Sequence, residues 1–255
     1  MAMASATTVP KSVIIAGGSL AGLMHALTLL SLPSPPKVRI LERSPTALLH
    51  DQGAGIVAGN EPQEFFSEYV RAGRDIAVTS PARHYLNHKG EVMPETVEHR
   101  AQRMTSWDLL YHLLRWRVEG MQSDYVKDLK PDDRPKAQYD NGCSVKSVES
   151  TSDGVKVVWE QKDQGEQSAT ADLVIAADGG SSTIRSLLQP DVKRTYAGYV
   201  AWRGTVPETE LSEEARKVFI DRFTFYHTTG IQILGYVIPG REGTLEPGKR
   251  LGKQP

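Results

Sequence analysis

The 255-residue chain sets 30 Lys and Arg against 31 Asp and Glu, a formal net charge of −1, so its charge points neither to nucleic acid nor to a basic membrane-facing surface. The single cysteine, Cys143, excludes an intramolecular disulfide and a cysteine-based zinc site, and no apolar run approaches the ~20 residues of a membrane span. Residues 1–10, MAMASATTVP, lack a basic region and a long apolar core and read as a disordered tail, not a signal peptide; with the cysteine usage of a reducing compartment, a cytoplasmic protein is expected.

In chain order, Ser12–Ala16 is expected as a short buried strand and Leu20–Ser31 as a helix with small residues in its first turn. The prolines of SLPSPP at 31–36 make a loop. Lys37–Leu41 is the next strand, ending in Glu42-Arg43, which completes a βαβ unit of the usual length. A mixed segment runs to about residue 75, and 76–104 reads as short strands and turns with a hairpin turn at Lys89-Gly90. Asp108–Gly120 is a helix: Leu109, Leu110, Leu113, Leu114 and Trp116 fall at mostly helical spacing, with Ser106 placed to cap it. PDDRP at 131–135 is a loop, and strands follow at Ser144–Glu149, Val155–Gln161 and Ala171–Ala177. The closing RLGKQP is read as neither strand nor helix.

The first junction carries the chemistry. In VIIAGGSLAGL the fingerprint G-x-G-x-x-G is present as Gly17, Ser19 and Gly22, with serine at the middle glycine. Gly17 suits the tight turn and Gly22 the close packing of helix on strand. Ser19 is small, Gly18 beside it keeps the turn flexible, and the Ser19 hydroxyl and amide could donate to a phosphate at the helix N-terminus. A glycine-rich turn that merely packs tightly is the competing reading. Glu42 stands 20 residues past Gly22 at the end of the second strand, where a carboxylate can take both hydroxyls of an unphosphorylated ribose and would repel a 2′-phosphate. These residues leave NAD and FAD both open.

Residues 172–185, DLVIAADGGSSTIR, form a strand ending in Asp178-Gly179 and a helix start. With GGSLAGL and LER, this run resembles the class A FAD-dependent aromatic monooxygenases of the p-hydroxybenzoate hydroxylase fold: the first two resemble their FAD-ADP site, ADGGSSTIR their Asp-Gly motif. YAGYVAWRG at 196–204 and YVIPGREGTLEPGKR at 236–250 resemble the substrate-binding segment of the 2,6-dihydroxypyridine hydroxylase branch. GAGIV at 53–57, with Gly55, resembles the loop near the isoalloxazine. RMTSWDLLYHLLR resembles the helix near the FAD pyrophosphate; Arg103 is its nearest guanidinium, since the family's arginine position holds Ser106. The likeness covers about 12–250, and the family's second Gly-Asp motif is not found by Pro255, so a truncated form with impaired activity is expected.

The resemblance implies an α/β fold: a three-layer Rossmann-like FAD-binding domain (11–75 and 105–189) interleaved with a mainly antiparallel substrate-binding sheet (76–104 and 190–255). It implies FAD, NADH or NADPH as electron donor, and hydroxylation of an aromatic or heteroaromatic small molecule with dioxygen; it leaves a homodimer open. The implied cofactor residues are Gly17, Gly18, Ser19, Leu20, Gly22, Glu42, Arg43 beside the adenine, Gly55, Arg103, Val145 through its backbone, Asp178 and Gly179. No side-chain nucleophile is required, and no catalytic residue is named. A non-catalytic FAD- or ADP-binding fragment and an NAD-dependent oxidoreductase are the alternatives. His84, His88, Tyr199 and Arg203 are candidate pocket groups with structural roles favoured. The His84–His88 spacing is not taken as a metal pair, because Asn87–Gly90 reads as a turn. Trp202 is expected in the core and Cys143 as an inert, partly buried thiol.

Overall fold

The computed structural model describes residues 9–49, 55–130 and 133–254. Its elements are β1 (Ser12–Ala16), α1 (Leu20–Leu30), β2 (Lys37–Glu42), β3 (Gly55–Val57), α2 (Asn60–Phe65), β4 (Val78–Ser80), β5 (Ala82–Leu86), β6 (Gln102–Ser106) and α3 (Trp107–Glu119). There follow β7 (Gln138–Asn141), β8 (Cys143–Thr151), β9 (Gly154–Gln161), β10 (Gly165–Ala171), β11 (Leu173–Ala176) and α4 (Thr183–Leu188). The last are β12 (Gly204–Pro207), α5 (Glu213–Phe219), β13 (Arg222–Thr228), β14 (Ile231–Ile238) and β15 (Leu251–Gln254). Two compact units interleave along the chain: one holds the described residues of 1–49, 114–121 and 130–195, the other those of 50–113, 122–129 and 196–255. Residues 55–75, 105–113 and 122–129, expected with the first group, fall in the second unit, where β3 pairs antiparallel with β6, and 190–195, expected with the second, fall in the first.

The first unit is three-layered. Its parallel sheet has the order β11-β1-β2-β7, with Ile15 opposite Ile175 on one side and Ile40 on the other. The unbroken apolar run VIIA is what a parallel strand covered on both faces requires. Successive side chains serve opposite layers: Ile15 lies beside Gly22 of α1, whereas Ile14 joins Leu41, Cys143, Val157 and Trp159 in the core under the meander β8-β9-β10. Asp172, between β10 and β11, accepts the Lys11 and Ser12 amides at 2.7 and 2.9 Å, which hold its carboxyl below the usual range and tie the two strand starts together. Cys143 is buried, and its thiol lies 2.8 Å from Gln161 Oε1; burial first, and the negative field of Asp140, push it up to about 11.

The second unit is mainly antiparallel. Its larger sheet has the order β12-β15-β14-β13-β5, with β5 added in parallel, and β3-β6-β4 form a separate sheet. Met104, Phe223, Tyr236 and Ile238 make its core cluster. The Lys89-Gly90 turn is as expected: the Asn87 amide donates to the Glu91 carbonyl, and Gly90 takes φ +79. Glu208 and Arg250, 4% and 6% exposed, are joined by two hydrogen bonds of 2.9 Å, and the Gly248 amide also donates to Glu208. Arg250 thereby holds the Glu208 carboxyl below its ordinary value.

Several expectations are corrected. The meander's third strand is the polar β10, and Ala171–Ala177 divides between β10 and β11 at Asp172. RLGKQP supplies a strand: β15 pairs with both β12 and β14, so two-sided ladder bonding overrides its weak local propensity. Trp202 is 82% exposed rather than in the core, in a run of exposed residues without regular structure. The helix at Asp108–Gly120 starts at Trp107, and Ser106 Oγ accepts the Leu109 amide at 3.2 Å, as the capping role requires. No helix among the described residues is long and apolar enough to cross a membrane.

Two measurements check this description. Replacing Glu208 with Gln leaves the buried Arg250 charge with only the half-exposed Asp221 carboxylate, 3.3 Å away, and is expected to cost about 3 kcal/mol by denaturant midpoint. In the wild type this contribution is complete above the unfolded carboxyl pKa of about 4.3 and is lost as pH falls through the lower folded value, so the variant has the shallower acid limb. Cys143, with its raised pKa, is expected to resist a thiol reagent at about pH 8 in the native chain and to react once the chain is unfolded.

Candidate functional site

The candidate residues of the first unit meet where β1 ends. Gly17 has φ +106, and a Cβ there would collide with the Ala177 carbonyl and lie 3.0 Å from the Asp178 amide nitrogen. A Cβ at Gly22 would collide with the Gly17 carbonyl. Both glycines are thus required by contact between backbones, one for the turn and one for the seating of α1 on β1. Gly18 is a different case. Its φ lies outside the left-handed region, and the Tyr139 ring occupies the space a side chain would fill, so close approach calls for glycine there.

Ser19 sits at the N-cap of α1 in extended backbone (φ −87, ψ −170), and its hydroxyl makes no capping bond, so among the described residues the first-turn amides of the helix have no side-chain cap. Glu42 ends β2 beside them. Its Oε2 accepts the Gly18 amide and its Oε1 the Ser44 amide, each at 2.8 Å. A carboxylate offers about four lone-pair sites, so each oxygen retains accepting capacity. Arg43 is exposed, next to this carboxylate in sequence.

Asp178 adjoins the same turn through its backbone. Its carboxylate accepts the Ser182 hydroxyl at 2.5 Å and the Ile184 amide at 3.2 Å, so it shapes the start of α4. Gly179 follows at φ +78 with open space around it, where the conformation calls for glycine. Val145 lies on β8 opposite Trp159, at a register shift between Val145 and Ser147. The structure brings Gly17, Gly18, Ser19, Gly22, Glu42 and Asp178 together. Gly55 and Arg103 belong to the second unit: Gly55 makes room for the Tyr236 ring, and Arg103 lies 3.2 Å from Gln63. Gly53 and Ala54 of the GAGIV stretch lie outside the described residues.

One face of the second unit's sheet is aromatic. Tyr85 stacks on Phe225 with centroids 5.0 Å apart, His227 meets both edge-on, and Phe223 contacts Phe225 and Tyr236. Burial pushes the Tyr236 hydroxyl up to about 12, opposed in part by the charge of Arg203. His84 is buried, 2.9 Å from the Thr224 hydroxyl, with its pKa lowered by burial; His88 stands in the exposed turn after β5. Tyr199 is exposed. Sequence reading missed the aromatic ladder and Tyr139. The alternation in RFTFYHT signals the first, whereas nothing local marks the second.

A family model described as FAD binding domain-like matches residues 196–253. The chain is 30% identical over 240 residues to 2,6-dihydroxypyridine 3-monooxygenase of Paenarthrobacter nicotinovorans, covering 92% of this chain and 53% of that protein. The solved 2,6-dihydroxypyridine-3-hydroxylase of Arthrobacter nicotinovorans superposes with a TM-score of 0.74 at 28% identity, over 97% of this chain and 56% of the other. Klebsiella pneumoniae HpxO, solved with FAD and uric acid, shares the fold with a TM-score of 0.65 at 20% identity, covering 96% and 56%. The chain spans about half the length of these relatives.

Gly22→Ala tests the turn directly: it is expected to cost about 2–4 kcal/mol by denaturant midpoint, because the collision is with backbone. A cost under about 0.5 kcal/mol, the range of an unconstrained surface substitution, would mean that α1 does not seat on β1 through this glycine. The chain is thus homologous, over almost its whole length, to about half of 2,6-dihydroxypyridine 3-monooxygenase and shares the fold of the solved hydroxylase.

Proposed function

We propose that this chain holds FAD and serves the hydroxylation of an aromatic or heteroaromatic small molecule, with NADH or NADPH and dioxygen as co-substrates. The observation that carries the reading is the turn at Gly17–Leu20: backbone without side chains, a helix N-terminus without a side-chain cap, and the Glu42 carboxylate alongside. These residues fit a dinucleotide. The α1 amides would hold the pyrophosphate, Glu42 the adenosine ribose, Arg43 and the Val145 backbone the adenine, and Asp178-Gly179 the pyrophosphate and ribityl region. Bound FAD supplies hydride acceptance from the nicotinamide and electron transfer to dioxygen.

The remaining work is placement. The ladder of Tyr85, Phe225 and His227 offers ring faces and edges to an aromatic substrate.

Titrating the purified chain with FAD tests the reading. Visible flavin absorbance is expected to co-purify or to be restored. Glu42→Ala is expected to weaken FAD by about 1–3 kcal/mol through lost charged hydrogen bonds to ribose. Absence of any FAD uptake by a folded chain overturns the proposal, and unchanged affinity in Glu42→Ala removes that carboxylate from the site. Product formed in step with NAD(P)H oxidation supports hydroxylation.

A further inference from the structure

We propose that Tyr139, clamped by the buried Arg115, is a positioning residue for the cofactor turn; the proposal rests on the FAD reading above. Gly18 is held at both ends of its own backbone. Its amide donates to Glu42 at 2.8 Å, and its carbonyl accepts the Tyr139 hydroxyl at 2.9 Å. The Tyr139 ring fills the space beside its Cα. That ring is itself fixed: the Arg115 guanidinium lies over it, 3.6 Å from its centroid, and Arg115 is 1% exposed. Arg115 is paired through Nε with Glu119, one turn further along α3, and burial raises the Glu119 carboxyl above its ordinary range despite the arginine.

A continuous chain of contacts therefore runs from Glu119 through Arg115, Tyr139 and Gly18 to Glu42, all within the first unit. It explains the altered fingerprint. Ser19 takes an ordinary extended conformation that needs no glycine, and the extra glycine stands one residue earlier because Tyr139 demands it. The two contacts that fix the Gly18 peptide decide where Ser19 and Leu20 start the helix, and so where the α1 amides point.

The test is a double-substitution cycle read as the FAD dissociation constant, by flavin fluorescence, and separately as the thermal midpoint of the FAD-free chain. Tyr139→Phe keeps the ring and loses the hydroxyl bond; it is expected to weaken FAD about 3–10-fold with little change in midpoint. Gly18→Ala is expected to weaken FAD about tenfold or more in the wild-type background, and under about twofold when added to Tyr139→Leu, which vacates the space. An equal effect of Gly18→Ala in both backgrounds, or wild-type affinity in Tyr139→Phe, overturns the positioning role while FAD uptake by the wild type leaves the cofactor reading standing. A wild-type chain that takes up no FAD, yet still shows the coupling in its thermal midpoint, overturns the cofactor reading and the positioning role together.

Discussion

The first unit depends on how closely backbone can approach backbone at the end of β1. Gly17 lies against Ala177, Gly22 against Gly17, and Gly18 against the Tyr139 ring. At each contact the neighbour is a main-chain carbonyl or a ring held in place, and none of these can swing aside. The parallel sheet, the seating of α1 and the approach of the Asp178 segment are therefore fixed together, since a methyl group at Gly17 or Gly22 would separate two elements at once. Glu42 belongs to the same assembly. Before it meets any ligand, it already serves the fold by accepting two amides.

The second unit is secured by charge where the first is secured by contact. Glu208 opens the single turn after β12, and Arg250 immediately precedes β15, so their pairing ties the exit of the edge strand to the entry of the strand beside it. A buried pair of this kind gives little net stability over an apolar substitute, but it penalises every register in which only one partner is buried. That suits β15, whose sequence LGKQ has little hydrophobic pattern of its own to set its register.

Legibility in the sequence followed these differences. The β1–turn–α1–β2 unit could be read because its signals are local: an apolar run, glycines at fixed spacing, a proline loop and a terminal carboxylate. β10 (GEQSATA) and β7 (QYDN) could not, because each lies at the edge of its sheet, is largely exposed or only half-buried, and keeps its polar residues there. Trp202 was misplaced for the converse reason: a large aromatic side chain signals burial only on average. Nothing in the helical pattern marks Arg115 and Arg117 as buried, yet α3 is buried on nearly every side and both arginines are 1% exposed.

The candidate site divides along the same line. Gly17, Ser19, Gly22 and Glu42 are close in sequence or tied to a strand end, so spacing alone could find them. Tyr139 lies 121 residues from the carbonyl it binds, on a strand that propensity does not reveal. Its partner Arg115 comes from a helix whose pattern suggests only packing. The general consequence concerns degenerate fingerprints. A substitution at a motif glycine need not weaken the motif when the residue there sits in ordinary backbone and the close approach has moved to its neighbour. Whether it has moved depends on what a distant strand brings against the turn, and that is a fact of tertiary packing, which no window of sequence contains.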